Sequence, residues 1–404
     1  MPSYTRPEYR AFFSTLYSGK GERVGMISAE REIFSPDAPQ IMPPFLRGQI
    51  KTLPYPIPAT VALHPSVVMS ELVGEEITVD GVTYRGIIPD ATVYFSTTET
   101  FEDVFRAINT LVEMEIDVIN FSAGVLNPDG YSDFDKELDE LILQKDFLFV
   151  AASGNRRLVS TPGIAYNTLT VGNLQTLSAP KTPISPPWNS RCINAVNCSG
   201  FTRSDDFSTS HKPDAVAPGT FIPFVTPSYR IYSENTGSSF ATPLVTGVAV
   251  IVREILPDAS ALEIKTVICL SCDRDVIDES FNPVIFGEVL IRERTGCGMV
   301  NLERAISCAK NADIKSVIIS GEYTEQILLG KAERVGVGVC FHKSTERQDE
   351  SIVLRLASSS KELVCDRENQ VLHIAEYTAA DTETLTIGIS GNYPTKCAVI
   401  IWRL

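Results

Sequence analysis

The chain has 404 residues, a length that suits one large domain and a smaller one rather than a single small domain. Its shares of hydrophobic residues (44%) and charged residues (21%) are ordinary for a packed globular protein, which excludes a mainly disordered chain. With 50 acidic and 35 basic residues, the formal charge of -15 argues against nucleic acid or anionic membranes as partners.

The N-terminal residues, from Met1 to Pro7, are polar and do not develop the apolar core of a secretion signal. No window of the sequence reaches the roughly 18 apolar residues of a membrane span. The nine cysteines are an odd number spread over a long chain, which suits reduced thiols better than a disulfide framework. We therefore expect an intracellular, cytoplasmic protein with no membrane partner.

Short apolar runs alternate with helical stretches through the first three quarters of the chain. The predicted strands in this part are residues 24–27, 92–95, 118–121 and 147–152. Between the second and third of them, Phe101 to Met114 carries apolar side chains at a helical period. This alternation predicts an α/β fold with a parallel sheet flanked by helices.

After about residue 312 the pattern changes to short β-type runs separated by polar or turn-forming segments. The predicted strands are residues 317–319, 335–341, 352–356, 371–374, 385–389 and 398–402. Such a pattern is typical of an all-β sandwich. We therefore predict an α/β domain over residues 1–312 and a β-sandwich domain over residues 313–404.

One segment places a serine at the first turn of a predicted helix. Residues 235–247 read NTGSSFATPLVTG, and the helix begins at the two serines. The hydroxyl of Ser239 would lie near unpaired backbone N–H groups, which can stabilise a developing oxyanion. Because serine is also a common helix N-cap residue, this segment alone also allows a purely structural role for Ser238 and Ser239.

Six segments in the same order resemble the subtilisin-like serine peptidases, or subtilases. The serine segment is similar to the family's nucleophile motif, a Gly-Thr-Ser-Met-Ala-Thr-Pro core followed by a helix of small residues. The other five read GIIPDA at 86–91, DVINFSAG at 117–124, VAASGN at 150–155, PDAVAPG at 213–219 and GCGMVN at 296–301. The resemblance implies a subtilisin-like parallel sheet in the first domain.

The resemblance also implies a role for each candidate site residue. Ser239 falls on the nucleophilic serine, and Asn155 falls on the asparagine whose side-chain amide donates to the oxyanion. The strand end formed by Ser122, Ala123 and Gly124 falls where the family pairs with the substrate backbone and walls the specificity pocket. A serine endopeptidase acting on extended peptides is therefore the implied activity.

Four histidines occur, at positions 64, 211, 342 and 373, so the candidates for a general base are few. His64 stands before a helical stretch where the family carries His-Gly-Thr-His-Val-Ala-Gly, although Pro65 replaces the usual glycine. The resemblance makes His64 the general base. A lone histidine is otherwise a satisfied loop or core residue.

The family's aspartate motif is where this sequence departs from the pattern. Residues 24–27 match the first strand and Pro36-Asp37 matches a later pair without a gap, which puts Ser28 in the position of the aspartate. A serine can hydrogen-bond an imidazole but brings no charge to stabilise the imidazolium. Glu30 is either a substitute carboxylate or a solvated surface charge. Three states remain open: an active Ser-His-Glu variant, a slow Ser-His dyad, and a degenerate peptide-binding or scaffold relative.

Other classes of site are less well supported. Residues 237–241, GSSFA, lack the second glycine of the Gly-x-Ser-x-Gly elbow, which disfavours an α/β-hydrolase esterase. The sequence has no compact Asp-x-Asp-x-Asp calcium loop, so we assign no metal or other cofactor. Cys269 and Cys272 form a CxxC pair without a second pair at zinc-site spacing, and we interpret them as packing thiols.

Overall fold

The structure is a computed structural model of the chain. It describes residue 12 and residues 16–29, 50–53, 63–125, 130–155, 159–176, 191–193, 212–220, 222–225, 231–276, 287, 295–347, 349–366 and 370–404. The helices within these ranges are α1 (Leu63–Val73), α2 (Phe101–Glu113), α3 (Asp133–Lys145), α4 (Ser238–Ile255), α5 (Ala261–Leu270) and α6 (Leu302–Asn311).

The first domain is built on a parallel sheet, as predicted. Its strands and two flanking hairpins are β1 (Arg23–Ser28), β2 (Ile50–Thr52), β3 (Ile77–Val79), β4 (Val82–Tyr84), β5 (Thr92–Thr97), β6 (Val118–Phe121), β7 (Leu148–Ala152), β8 (Leu169–Thr176), β9 (Arg191–Ile193), β10 (Ala215–Pro218), β11 (Ile222–Val225) and β12 (Ile231–Asn235). Seven of them lie in the order β10-β8-β7-β6-β1-β5-β2, all parallel. β9 pairs antiparallel with β8, and the hairpins are β3–β4 and β11–β12.

The helices begin where the sequence supplies caps. Thr100 forms a reciprocal capping box with Asp103 at the start of α2, and Ser132 does the same with Asp135 at the start of α3. The predicted helix over 101–114 is observed over 101–113. α4 has the length and hydropathy of a membrane-spanning helix, but most of it is buried inside the protein, and this core position accounts for its apolar character.

α4 packs closely on the segment that follows α1. A Cβ on Gly247 would lie 2.5 Å from Cγ2 of Ile87, so α4 approaches this segment only because the residue is glycine. The backbone N–H of Ile87 in turn donates to the carbonyl of Glu71 in α1, at 2.9 Å. This packing fixes α1 beside α4.

A cluster of buried, paired charges lies at the start of β10 and links it to β8. The carboxylate of Asp214 accepts from Nζ of Lys212 and from the backbone N–H of Thr170, both at 2.7 Å, and lies 3.4 Å from Nζ of Lys265. All three charged side chains are almost completely buried. Burial alone would raise the pKa of the Asp214 carboxyl, but the two lysine charges hold it below its usual value.

The C-terminal region is a separate antiparallel sheet. Its strands are β13 (Asp313–Leu329), β14 (Arg334–Phe341), β15 (Ile352–Ala357), β16 (Glu362–Cys365), β17 (Leu372–Thr378) and β18 (Glu383–Arg403). The order is β16-β15-β18-β14-β17, with β13 paired to β18. The runs predicted at 385–389 and 398–402 belong to one long strand, because the β13–β18 ladder continues past a register shift between Ile319 and Gly321.

One face of this sheet completes the core of the α/β domain. Leu372, Ile374, Ile400 and Trp402 belong to the same buried cluster as α4 and α5. α5 packs closely on β14, since a Cβ on Gly338 would lie 2.7 Å from Cγ2 of Thr266 in α5. The opposite face has its own apolar core. The antiparallel sheet and the α/β part of the chain therefore contribute side chains to one buried apolar core.

Candidate active site

The candidate residues gather at the carboxyl edge of the parallel sheet. β1, β6, β7 and β10 end at Ser28, Phe121, Ala152 and Pro218, and the carboxyl ends of parallel strands lie at one edge. The segments that follow β6 and β7 carry Ser122–Gly124 and Asn155. This edge is where open α/β sheets bind ligands.

The turn after β10 positions the start of α4. The N–H of Gly237, the N-cap of α4, donates to the carbonyl of Gly219 at 2.8 Å. A Cβ on Gly219 would lie 2.5 Å from that N-cap's own carbonyl oxygen and 2.6 Å from Oδ1 of Asn173. Only glycine therefore fits this close approach, which is the physical reason for the Ala-Pro-Gly turn.

The two serines at the start of α4 have different surroundings. Ser238 is completely buried, whereas Ser239 is partly exposed. The Ser238 hydroxyl donates to the carbonyl of Gly154 at 2.9 Å and accepts the backbone N–H of Gly154 at 3.0 Å. Ser238 thus ties α4 to the end of β7 and leaves Ser239 as the serine that faces outward.

The same contact orients Asn155. Its Oδ1 accepts the backbone N–H of Ser238 at 2.8 Å, and the side chain is otherwise exposed. With Oδ1 held by α4, the Nδ2 amide group is turned away from this N–H and can donate outward. The N–H of Ser239 belongs to the first turn of α4, where backbone donors have no partner within the helix. The backbone N–H of Ser239 and the side chain of Asn155 therefore both lie at the N-terminus of α4, the positive end of the helix dipole.

His64 lies in the first turn of α1 and reaches the start of α4. Its ring centroid is 5.2 Å from that of Phe240, with the ring planes inclined at 59°. Phe240 directly follows Ser239 in the chain, and His64 is half-buried. The structure thus brings the predicted base to the N-terminus of the helix that carries the predicted nucleophile.

The third triad position is not completed by Ser28. This residue ends β1 and is 5% exposed, and its carbonyl accepts from the N–H and Oγ1 of Thr98, at 2.8 and 3.1 Å. Among the hydrogen bonds of the described residues, none joins the Ser28 hydroxyl to His64. Glu30 and the Pro36-Asp37 pair lie outside the described residues.

The predicted substrate wall is an exposed strand end. After Ser122, which is buried, Ala123 is partly exposed and Gly124 is exposed. The next residue, Val125, pairs with Thr161 through two backbone hydrogen bonds of 2.9 and 3.0 Å. Gly124 therefore lies next to this backbone-paired residue and is itself exposed.

Close packing behind the wall also requires glycine. A Cβ on Gly124 would lie 2.8 Å from Cβ of Ser160, which is itself buried. The N–H of Ser160 donates to the carbonyl of Ser153 at 2.9 Å. Ser160 thereby spaces the strand end after β6 from the segment after β7, where Asn155 lies.

Cys269 and Cys272 do not belong to this site. Cys269 lies in α5 and Cys272 two residues beyond its end, and both are completely buried in the apolar core. Burial raises the pKa of the Cys272 thiol above its usual value, which disfavours a reactive thiolate. In the part of the chain that the structure describes, no group of three or more Cys, His, Asp or Glu side chains is arranged to hold a metal ion.

Comparisons with known proteins agree with this arrangement. The Subtilase family matches residues 64–287, more than half of the chain, beginning at His64. A subtilisin-like protease of Arabidopsis thaliana, SBT3.12, is 36% identical over 104 residues, and that stretch spans 23% of this chain and only 13% of the plant protein.

Two solved structures share the fold at low sequence identity. The protease domain of PatA, as a serine-to-alanine mutant, is similar with a TM-score of 0.54 and 19% identity, covering 74% of this chain and 98% of that one. The MycP3 protease of the type VII (ESX-3) secretion system is similar with a TM-score of 0.53 and 19% identity, covering 76% of this chain and 88% of that one. Because the family match covers more than half of the residues, from His64 to residue 287, the chain belongs to the subtilase family.

Proposed function

We propose that the chain is a serine endopeptidase that cleaves peptide bonds with Ser239 as nucleophile, His64 as general base and Asn155 as oxyanion donor. The observation that carries the proposal is the convergence at the start of α4. There a partly exposed serine lies next to Phe240, which contacts the His64 ring, and the preceding residue holds Asn155. Each group needed for acyl transfer is thus supplied by a different segment.

The proposed reaction has two stages. Oγ of Ser239 attacks the scissile carbonyl carbon while His64 takes its proton, and the oxyanion forms next to Nδ2 of Asn155 and the Ser239 N–H. His64 then gives the proton to the leaving amine. Water, activated by His64, hydrolyses the acyl-enzyme and regenerates Ser239. No cofactor takes part in these steps.

An extended peptide is the proposed substrate. It would add as a strand to the edge Ser122–Gly124, of which Ala123 and Gly124 are accessible, and would form main-chain hydrogen bonds without demanding a particular side chain. This pairing would place the scissile bond between that edge and the start of α4. We also propose that the enzyme acts in the cytoplasm, where the buried, free cysteines of the described residues stay reduced.

Cleavage of a defined peptide mixture tests this function. We expect the purified protein to produce new fragments, identified by mass spectrometry, and the Ser239→Ala variant to produce none. Fragments that persist at the same rate in Ser239→Ala would contradict the proposal, because another group or a contaminant would then perform the reaction.

A second function is favoured by the serine in the position of the aspartate. Without a carboxylate at the end of β1, the chain would keep the peptide-binding edge and lose turnover, acting as a peptide-binding or scaffold protein. This alternative predicts that the parent protein binds peptides without cleaving them, and that binding survives Ser239→Ala. Any fragment produced by the parent but not by Ser239→Ala excludes it.

Removal of the oxyanion amide gives a sharper expectation for the peptidase. We expect Asn155→Leu to lower kcat by about 10² to 10³ with a small change in KM, since one such donor contributes roughly 3 to 4 kcal/mol to the transition state. Steady-state kinetics on one peptide substrate measures both constants.

A neighbouring glycine provides a matched variant. A Cβ on Gly237 would lie 2.9 Å from Nδ2 of Asn155, so Gly237→Ala displaces the amide without removing it. We expect Gly237→Ala to lower kcat as well, but by less than Asn155→Leu does. An unchanged kcat in Asn155→Leu would show that this side chain does not contact the oxyanion.

A further inference from the structure

A line of buried hydrogen bonds joins the nucleophile helix to the substrate wall. Oγ1 of Thr246 lies 2.9 Å from Oδ1 of Asn120 and 3.0 Å from the carbonyl oxygen of Thr242, and its one proton is shared between these two acceptors. Nδ2 of Asn120 then donates to Oγ of Ser122 at 3.0 Å. Thr246 and Asn120 are completely buried, and Ser122 is 4% exposed. We call Thr246, Asn120 and Ser122 the relay.

The relay connects α4, which carries Ser239, with the strand end Ser122–Gly124, and the proposed reaction needs these two elements at a fixed spacing. Thr246 follows Ser239 by seven residues, which places both on the same face of α4 two turns apart. Asn120 lies in β6, and Ser122 is the first residue after that strand, on the side of the substrate edge. A shift of the strand end relative to α4 would therefore have to break one of these bonds.

The relay is polar in surroundings that favour apolar side chains. Val245 precedes Thr246 in α4 and Val248 lies two residues after it, while Ile119 and Phe121 flank Asn120 in β6, and all four are buried. Apolar residues of similar size would fill this space without the cost of desolvating an amide and two hydroxyls. Hydrogen bonds differ from apolar packing in that they fix distance and direction, so the relay defines the spacing between the two elements.

We propose that Thr246 and Asn120 are positioning residues, which set the peptide-pairing edge at Ser122–Gly124 relative to the Ser239 hydroxyl. This inference rests on the proposed peptidase function. Neither residue touches the substrate, so their effect passes through Ser122. The relay is needed for substrates that pair with the edge, and it is not needed for small reagents that contact only Ser239 and the oxyanion donors.

Thr246→Val removes the hydroxyl at constant size and tests the relay. We expect kcat/KM for an extended peptide to fall by about 10- to 100-fold, since a displacement near 1 Å costs up to about 10² in rate. The rate of labelling by a small fluorophosphonate should stay within about twofold of the parent, because that reagent does not use the edge. Thr246→Ser keeps the hydroxyl and is expected to restore peptide turnover.

Thr266→Val is the matched control. Thr266 is also a buried helical threonine, and its hydroxyl bonds only to the carbonyl of Leu262 within α5. Thr266→Val is expected to leave the rate of peptide turnover and the rate of fluorophosphonate labelling unchanged. Equal losses of peptide turnover and labelling in Thr246→Val, or no loss in either, would overturn the positioning role.

Peptide binding separates this inference from the proposed function. In a Ser239→Ala background, adding Thr246→Val should weaken the Kd of the same peptide at least about fivefold, whether or not the parent protein turns over. An unchanged Kd would overturn the relay's role on its own. A parent that neither cleaves nor labels would instead contradict the peptidase function and leave the binding result as the test of the relay.

Discussion

Replacing Ser28 by aspartate is expected to raise kcat for peptide hydrolysis by about 10² to 10⁴. Ser28 ends β1, and the sequence register predicts it in the position of the family's aspartate. Among the described residues its hydroxyl makes no hydrogen bond to His64. A carboxylate there would hold the imidazole in the required tautomer and stabilise the imidazolium, a contribution of about 10⁴ in turnover where it has been removed from a complete triad.

Ser28→Asn is the matched control for this gain. Asparagine has the size of aspartate but no charge, so it should not raise kcat. Steady-state rates of the parent and both variants, measured on one peptide, give the comparison. Equal rates for Ser28→Asp and Ser28→Asn would contradict the assignment of this position to the missing aspartate.

Glu30 offers a related check on the same question. If its carboxylate served as the third member, Glu30→Gln would lower kcat in the parent and a new charge at residue 28 would add little. A parent rate unaffected by Glu30→Gln, together with a gain in Ser28→Asp, identifies the parent as a Ser-His dyad.

Deletion of residues 313–404 is expected to abolish folding of the α/β domain. Leu372, Ile374, Ile400 and Trp402 complete the buried cluster that includes α4 and α5. Burial of one large apolar side chain contributes about 1.5 to 3 kcal/mol. These four alone give on the order of 10 kcal/mol, which is comparable with the whole stability of a typical domain. Circular dichroism and thermal unfolding of the fragment 1–312 measure the outcome.

Point variants in the same sheet provide the control. Ile400→Ala, in the shared core, should lower the free energy of unfolding by about 2 to 5 kcal/mol. Ile318→Ala should change it by less than about 0.5 kcal/mol, because Ile318 is 74% exposed. A fragment 1–312 that unfolds cooperatively near the temperature of the full chain would show that the shared core is dispensable.

Much of the parallel sheet could be predicted because its strands carry strong local signals. The run at 118–121 is observed as β6 over the same residues, since four successive buried positions leave little ambiguity. The capped, amphipathic segment from Phe101 was predicted to within one residue at its end. The C-terminal strands are harder to predict, because β13 and β18 extend through polar residues and form one long ladder with each other.

The site could be predicted in part for the same reason. Ser239 and Asn155 each lie in a short continuous motif that resembles the family. The expectation that both approach one helix terminus follows from the family's order of segments. The bond from Thr246 to Asn120 joins residues 126 apart, and the two motifs that contain them do not indicate this contact. The orienting role of Ser238 was likewise hidden, because sequence alone cannot tell which of two adjacent serines is buried.

Covalent labelling with a fluorophosphonate tests the central claim most directly. Ser239 is expected to form the adduct, located by mass spectrometry of the digested protein. Ser239→Ala should remove the adduct, and His64→Ala should slow its formation by at least about 10², because the hydroxyl then lacks its base. An unlabelled Ser239, under conditions that label an active serine peptidase, would contradict the account.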